Sequence, residues 1–207
     1  MTIKTILAPL TGSNAEKSVL NTALAIAKRF DAHIDVLHVR TDPRDAIPTF
    51  IAFAIPFGWV ANEDQRRRGI DLHLADVQRI PPSAVDPTVK NYHWLDLVTG
   101  LYQAYDAGAE NVLLQDNAGN VAEGPGFNLF AVKEGRVTTP ASGVLHGITR
   151  ATALELLAEM GISAHAAPLP IDALLQADEA FITSTAGGIM AVRAVDAHTF
   201  PAGAPGA

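Results

Sequence analysis

Short apolar runs separated by turn residues fill much of the chain beyond residue 110, and this punctuation constrains the fold more than any other feature. Runs at 111–115 and 120–123 flank the sequence Asp-Asn-Ala-Gly, and runs at 127–132 and 136–138 flank Glu-Gly. Asp, Asn and Gly readily adopt the backbone angles of the tight turns that join antiparallel strands. The sequence therefore predicts two β-hairpins in this part of the chain.

Apolar residues three and four positions apart predict helices around these hairpins. One helix is expected near 97–105 and ends before Gly108. Another begins near Thr149 or Thr152 and ends before Gly161. Strands are expected at 180–183 and 189–195, with a turn between them. Because strands and helices are interspersed in an apolar chain, we predict a mixed α/β (α+β) fold.

The first 50 residues predict a separate β-α-β unit. Strands are expected at 5–9 and 34–39, and Ser13 with Glu16 forms a capping box at the start of the helix between them. This order of elements favours a parallel pair of strands with a right-handed crossover. Residues 1–50 carry a net charge of +1 and the rest of the chain −8, so we place a boundary near Thr49.

Composition argues against several classes of protein. The chain has 207 residues, a net charge of −7 and no cysteine, which excludes a disulfide scaffold and disfavours a nucleic-acid partner. No signal-peptide pattern opens the sequence, so a cytoplasmic protein is expected. The apolar run at 51–61 contains Pro56 and Gly58 and is too short to span a membrane. Seven histidines without metal-ligand spacing predict no metal site.

Lys90 and Glu123 are the candidate residues for chemistry. A lone lysine is usually a solvated charge, but Lys90 has the apolar neighbours Val89, Tyr92 and Trp94. Burial among them would lower the pKa of its amine and make the amine available as a nucleophile. Glu123 follows a predicted strand and precedes a Gly-Pro-Gly bend. Its simpler interpretation is a charge at the edge of a hairpin.

Two segments offer backbone N–H groups to an anion. Gly147, Ile148 and Thr149 lead into a predicted helix, and the unpaired donors and dipole of a helix N-terminus favour negative charge. The turn at 184–188 carries two hydroxyl groups beside two glycines. Taken alone, each segment is more typical of a plain helix cap or a plain turn.

Four short motifs follow one another along the chain: Asp-Pro-Thr-Val-Lys-Asn at 86–91, Glu-Gly-Pro-Gly-Phe-Asn at 123–128, Gly-Val-Leu-His-Gly-Ile-Thr-Arg at 143–150 and Thr-Ser-Thr-Ala-Gly-Gly-Ile at 183–189. On these motifs, about residues 51–197 resemble the fold-type IV (class IV) pyridoxal-phosphate aminotransferases, which include branched-chain, D-amino-acid and (R)-selective amine transaminases. The motif details are most similar to the (R)-amine branch. The resemblance implies that residues 50–207 form the C-terminal cofactor domain of that family, incomplete at both ends.

The resemblance also implies a cofactor, pyridoxal 5'-phosphate (PLP), and roles for seven residues. Lys90 would form an imine with PLP and move the proton at the substrate carbon. Glu123 would hold the pyridine nitrogen protonated, an attraction of about 4 kcal/mol at about 4 Å and an effective dielectric of 20. The remaining implied roles are phosphate binding by Ile148, Thr149 and Thr185 and substrate contacts by Trp94 and Ala186. The expected partners are an amine or amino acid, a keto acid and a second copy of the chain in a dimer.

The N-terminal segment resembles a different family. Thr-Ile-Leu-Ala-Pro-Leu-Thr-Gly-Ser at 5–13 and Asp-Val-Leu-His-Val at 35–39 are similar to the start of a universal stress protein, which implies a β-α-β fragment over residues 1–49. Thr11 stands where such proteins often have an acidic residue, and their later glycine-rich loop is absent. The β-α-β unit keeps open one alternative to an aminotransferase, a nucleotide-binding stress-response module. A second alternative is a non-catalytic fusion fragment.

Overall fold

The chain forms two compact units, Met1–Gly58 and Trp59–Ala207. The computed structural model describes residues 5–10, 21, 24, 25, 28, 33–38 and 61–202. In the first unit, strand β1 (Thr5–Leu10) pairs in parallel with β2 (His33–His38), which confirms the predicted pairing. Four residues between these strands are helical, namely Asn21, Leu24, Ala25 and Lys28. The predicted capping box at Ser13 and Glu16 and the boundary near Thr49 lie outside the described residues.

An eight-stranded mixed sheet forms the centre of the second unit. Its strands are β3 (Ile70–Gln78), β4 (Asn111–Gln115), β5 (Asn128–Lys133), β6 (Arg136–Pro140), β7 (Ala164–Ala167), β8 (Glu179–Ser184), β9 (Gly188–Val195) and β10 (His198–Thr199). The helices of the unit are α1 (Glu63–Arg68), α2 (Leu95–Asp106), α3 (Ile148–Glu159) and α4 (Ile171–Leu175). The strand order is β4-β3-β9-β8-β5-β6-β7, with β10 also paired to β9. None of the described helices has the length and hydropathy required to cross a bilayer.

Both predicted hairpins are confirmed. β4 turns back on itself at Asp116, whose carboxylate accepts hydrogen bonds from the backbone N–H groups of Ala118 and Asn120. β5 and β6 pair antiparallel through a turn in which Glu134 and Gly135 have positive φ. The strands predicted on either side of the turn at 184–188 are also present, as β8 and β9, and they pair antiparallel.

The two predicted helices are present, and their ends follow the local signals. α2 is followed by Gly108 and α3 by Gly161, with φ of 78° and 73°, a backbone conformation that glycine adopts without strain. Five shorter or more polar elements were not anticipated from the sequence: β3, β7, β10, α1 and α4. The mixed α/β prediction for this part of the chain is confirmed.

Each long helix packs against the sheet through its own buried cluster. α2 covers β3 and β4 with a cluster that contains Ala75, Leu97, Ala104, Val112 and Leu114. Gly100 allows this close approach, since a Cβ there would lie 3.0 Å from Leu114 and 3.2 Å from Ala75. α3 covers a second cluster of Phe130, Val137 and Ala153, in which the Phe130 and Phe181 rings stack at 4.7 Å. These contacts fix the N-termini of both helices relative to the sheet.

Gly124 is expected to be the least replaceable glycine of the second unit. A Cβ at this position would overlap the ring of Phe127 and the carbonyl oxygen of Val112, and the latter is backbone in the buried strand β4. We expect Gly124→Ala to lower the free energy of unfolding by about 2 kcal/mol more than Gly126→Ala does. Gly126 has a φ of 77°, but a Cβ added there would meet no neighbour within 4 Å, so its substitution carries only the backbone strain. Urea unfolding of both variants decides the matter, and equal stabilities would contradict the overlap.

Candidate functional site

Glu123 is a buried carboxylate fixed from two sides. It follows the β4 hairpin, where its backbone carbonyl accepts a hydrogen bond from the N–H of Leu114, and it is 6 % exposed. Its Oε1 accepts hydrogen bonds from Nε and Nη2 of Arg79 at 3.3 and 3.2 Å. Its Oε2 accepts the backbone N–H of Leu145 at 2.8 Å. Glu123 is therefore part of the interior of the unit and not a charge at a hairpin edge.

Arg79 connects Glu123 to a second carboxylate, Asp96. Arg79 follows β3, and its Nη1 donates to Oδ2 of Asp96 at 2.6 Å. Asp96 lies in the first turn of α2, where a negative charge is favoured by the helix dipole. The same Oδ2 accepts the backbone N–H of Ile80 at 2.7 Å. The side chains of Arg79, Asp96 and Glu123 are all more than nine-tenths buried, and we call them the buried triad.

With both carboxylates ionised, the buried triad carries one positive and two negative charges and so a net charge of −1. Burial raises the pKa of Glu123, the Leu145 N–H and Arg79 act against that rise, and Asp96 adds to it. An ionised carboxylate offers about four acceptor positions. Two on Oε1 and one on Oε2 are filled by protein donors, so Oε2 can accept one further hydrogen bond. A single cationic N–H donor would satisfy that position and neutralise the triad.

The segment before α3 is held between Glu123 and Asn128. The N–H of Leu145 binds Glu123, and its carbonyl accepts a hydrogen bond from Nδ2 of Asn128 at 2.9 Å. Gly147 then forms the N-cap of α3 with no side-chain capping bond. A Cβ on Gly147 would overlap Oδ1 of Asn128, so the chain packs closely here. The open N-terminus of a twelve-residue helix is thereby set at a fixed distance from Glu123.

The turn between β8 and β9 lies beside this segment. Thr183 pairs with Asn128 in the register of β8 and β5, which brings residues 184–188 to the same end of the sheet as Leu145. Within the turn, Oγ of Ser184 accepts the N–H of Gly187 at 2.8 Å. The buried Thr183 Oγ1 has no hydrogen-bond partner among the described residues. The two segments that the sequence identified as anion sites are thus neighbours.

The loop that carries Lys90 contradicts one expectation. We predicted that Val89, Tyr92 and Trp94 would bury the amine, but Lys90 is exposed and these three side chains are exposed as well. The loop at 81–93 has neither helix nor strand, and no described part of the second unit covers it. Among the described residues, Lys90 makes no hydrogen bond or ion pair. The burial argument for its reactivity is therefore wrong for this unit by itself.

The lysine loop is nevertheless connected to the buried triad. Both of its ends are fixed at Asp96, which binds the N–H of Ile80 and the guanidinium of Arg79. Within the loop, the hydroxyl and the N–H of Thr88 donate to Oδ1 of Asp86 at 2.7 and 2.9 Å, and these hydrogen bonds lower the pKa of Asp86. No hydrogen bond or ion pair joins Lys90 to Glu123 in the described chain.

The other residues singled out from the sequence lie on the surface of this region. Ile148, Thr185, Ala186 and Trp94 are exposed, and Thr149 is half-buried in the first turn of α3. Sequence reasoning missed Arg79, Asp96, Asn128 and Leu145. Asn128 ends the motif at 123–128, and the sequence assigned it no role. Arg79 follows the unanticipated strand β3, so nothing local marked it.

Comparison with known proteins gives a family for this arrangement. The amino-transferase class IV family model matches residues 2–195. The chain belongs to the class IV aminotransferases. This family depends on PLP, and the match runs through the first 50 residues. The comparisons give no evidence for a universal-stress-protein segment there, so that part of the resemblance is not supported.

The relatives of this class IV aminotransferase are named for branched-chain substrates. The chain is 36 % identical to a putative branched-chain-amino-acid aminotransferase of Methanocaldococcus jannaschii over 197 residues, which is 91 % of this chain and 67 % of that protein. The crystal structure of the Escherichia coli branched-chain enzyme matches at 32 % identity and a TM-score of 0.69, over 72 % of this chain and 50 % of that one. A PLP form from Thermobaculum terrenum matches at 26 % identity and a TM-score of 0.68, over 75 % and 51 %. The chain thus spans about half the length of these two solved relatives.

Proposed function

We propose that this chain is a PLP-dependent aminotransferase that moves an amino group between a branched-chain amino acid and a keto acid. The observation that carries the proposal is the single backbone residue, Leu145, that joins the buried carboxylate of Glu123 to the open N-terminus of α3. One segment thereby offers an acceptor for a cationic ring nitrogen and donors for a phosphate. PLP carries both groups on one small ring.

The residues present fit the pyridine ring of PLP at Glu123. The remaining acceptor position on Oε2 and the net charge of −1 of the buried triad both favour a protonated ring nitrogen. A carboxylate in this setting keeps the nitrogen protonated, because the ion pair forms where water is excluded. Bound PLP would supply the carbonyl that captures amines and the electron-withdrawing ring.

The phosphate would be held by Ile148, Thr149 and Thr185. The first two provide backbone N–H groups in the first turn of α3, where the helix dipole adds to the attraction for an anion. Thr185 adds a hydroxyl from the neighbouring turn. Because Asn128 and Gly147 pack so closely, the N–H groups are oriented before the phosphate arrives.

Lys90 would be the reactive amine, and Trp94 and Ala186 would face the substrate. Lys90 is exposed on an irregular loop that is flanked by Arg79 and Asp96, the two residues that form the buried triad with Glu123. Exposed apolar side chains around the loop, Val89 and Trp94, suit an aliphatic substrate side chain. The Escherichia coli and Thermobaculum terrenum structures are of branched-chain enzymes, which favours that substrate class over the amines of the (R)-selective branch. The proposed dimer would cover the exposed apolar face of α2, namely Leu95, Val98, Tyr102 and Tyr105.

Reductive labelling tests the proposed site. Borohydride reduction of the protein with PLP is expected to leave one stable label, and peptide mapping is expected to find it on Lys90. Lys133→Ala is the matched control, since Lys133 is also an exposed lysine of the second unit and pairs with Asp178. Lys90→Ala should lose the label and Lys133→Ala should keep it. Equal labelling of the two variants would contradict a specific site.

A second candidate is a chain that binds PLP without turnover, and the exposure of Lys90 favours it. Proton transfer is efficient only where the amine and the substrate carbon are held together away from water. A labelled Lys90 combined with no conversion of bound PLP by L-leucine would support this candidate. A labelled Lys90 combined with conversion would support the aminotransferase.

A further inference from the structure

The buried triad contains two residues that the proposed function places in no direct contact with a ligand, Arg79 and Asp96. We propose that Arg79 is a positioning residue that holds Glu123 in its anionic form and orientation, and that Asp96 limits the strength of this effect. The inference deepens the proposed function and rests on Glu123 as the partner of a ring nitrogen. Arg79 itself touches neither cofactor nor substrate.

Geometry gives Arg79 this role. Its Nε and Nη2 both donate to Oε1 of Glu123, a fork that fixes the rotation of the carboxylate about its last bond. The other oxygen is then the one that faces Leu145, and only that oxygen retains an acceptor position. A lysine could replace the charge of Arg79 but not the fork.

Charge balance gives Asp96 its role. Without the guanidinium, two carboxylates would share a site that is more than nine-tenths buried, and Glu123 would take up a proton to relieve the repulsion. A protonated Glu123 cannot keep a ring nitrogen cationic. Without Asp96, by contrast, Arg79 and Glu123 would neutralise each other, and the attraction for a cation would fall. The pair Arg79 and Asp96 therefore leaves one net negative charge directed at the ligand.

No other ionisable side chain is in contact with Glu123 in the described residues. The groups that face it are Arg79 from the end of β3, Asp96 through Arg79 from α2, and the backbone N–H of Leu145 before α3. Arg79 lowers the pKa of Glu123 and Asp96 raises it, as expected from the sign of each charge.

The first part of the test uses the cofactor-free protein and so does not depend on the proposed function. Glutamate side chains labelled with ¹³C are titrated by NMR, and Glu123→Gln assigns the signal. Arg79→Met is expected to move the Glu123 midpoint to higher pH, and Asp96→Asn to lower pH. If Arg79→Met does not fold, Arg79→Met/Asp96→Asn compared with Asp96→Asn carries the same test, since the midpoint should again rise. An unchanged midpoint in the folded variants would overturn the proposal.

The second part asks whether the effect acts through the ring nitrogen. PLP and its analogue with carbon in place of the ring nitrogen are titrated by absorbance against wild type, Arg79→Lys and the double variant. Loss of the fork is expected to weaken PLP binding by about tenfold or more, while the analogue changes by less than about twofold. Equal losses for both ligands would mean a merely structural arginine and would overturn the proposal. No PLP binding by wild type would overturn the proposed function and the role of Arg79 toward a ligand, while the NMR titration still decides whether Arg79 controls the charge of Glu123.

Discussion

Replacing Lys90 with alanine is expected to slow amino transfer from L-leucine by about 10⁴-fold or more. The amine has two tasks in the proposed site, covalent attachment and movement of the proton at the substrate carbon, and general acid–base catalysis by one positioned group is worth about 10² to 10⁴ in rate. The side chain is exposed and has no partner among the described residues. The free energy of unfolding should therefore change by less than about 0.5 kcal/mol. Single-turnover absorbance of the PLP-loaded protein measures the rate.

Two further variants distinguish a loss of proton transfer from a general effect of substitution on the protein. Lys133→Ala should react like wild type, because Lys133 pairs with Asp178 on the surface. Lys90→Arg retains a long cation but cannot give up its proton near neutral pH, so it should be as slow as Lys90→Ala. Added methylamine is expected to restore part of the rate to Lys90→Ala and none to Lys90→Arg. A Lys90→Ala protein that transfers amino groups at the wild-type rate would remove Lys90 from the mechanism.

Local signals were sufficient for the turns and for the helix ends of the second unit. Gly108, Gly161 and Gly135 have positive φ, and Asp116 closes its turn with its own side chain. These features depend on residues within a few positions of one another, so they can be predicted from sequence. The hairpins followed directly from them.

β3 could not be recognised in this way, because its polar side chains find their partners far along the chain. His73 lies 2.6 Å from Asp196, and Asp71 pairs with Arg193. Both partners belong to the β9 region, more than 100 residues away, and β9 is the parallel neighbour of β3. A strand with acidic and histidine residues looks unsuited to the centre of a sheet until that neighbour is known.

The distance along the chain between partners also decides which parts of the candidate site can be predicted from the sequence. Glu123 and the N-terminus of α3 belong to contiguous motifs, and their proximity follows from a hairpin and a helix start. Arg79 and Asp96 are 17 residues apart and meet only because β3 and α2 pack on each other. Lys90 failed the burial argument for a related reason, since apolar neighbours in sequence cover a side chain only where another element closes over them.

Glu123→Gln is expected to slow amino transfer by about 10³-fold while it changes the stability of the cofactor-free protein by less than about 1 kcal/mol. The neutral amide cannot hold a ring nitrogen protonated, and one preorganised electrostatic partner is commonly worth 10² to 10³ in rate. In the fold, two effects oppose each other. Removal of a buried charge stabilises, whereas a glutamine cannot accept from both Arg79 and Leu145, so one of these donors loses its partner.

The pH dependence of stability identifies the buried charge as the cause. Burial raises the pKa of Glu123 in the folded state. Protonated Glu123 therefore adds to the free energy of unfolding, fully at pH values below the pKa of an unfolded glutamate. This contribution is lost as the pH rises through the pKa of the folded state. Glutamine has no such loss. In urea unfolding, the free energy of unfolding of Glu123→Gln should therefore rise relative to that of wild type between about pH 4 and neutral pH.

Glu155→Gln is the matched control for this result, because Glu155 is exposed on α3 and lies outside the buried triad. It should change neither the rate nor the pH dependence. If Glu123→Gln had the same transfer rate and the same pH dependence of stability as Glu155→Gln, the Glu123 carboxylate would contribute nothing at the site. The net charge of the buried triad could then not be what selects the ligand. If Glu123→Gln instead lost activity and stability together at every pH, the loss of the Leu145 hydrogen bond would explain both. Only the combination of slow transfer with a pH-dependent gain in relative stability requires a buried negative charge that is retained for its action on a bound cation.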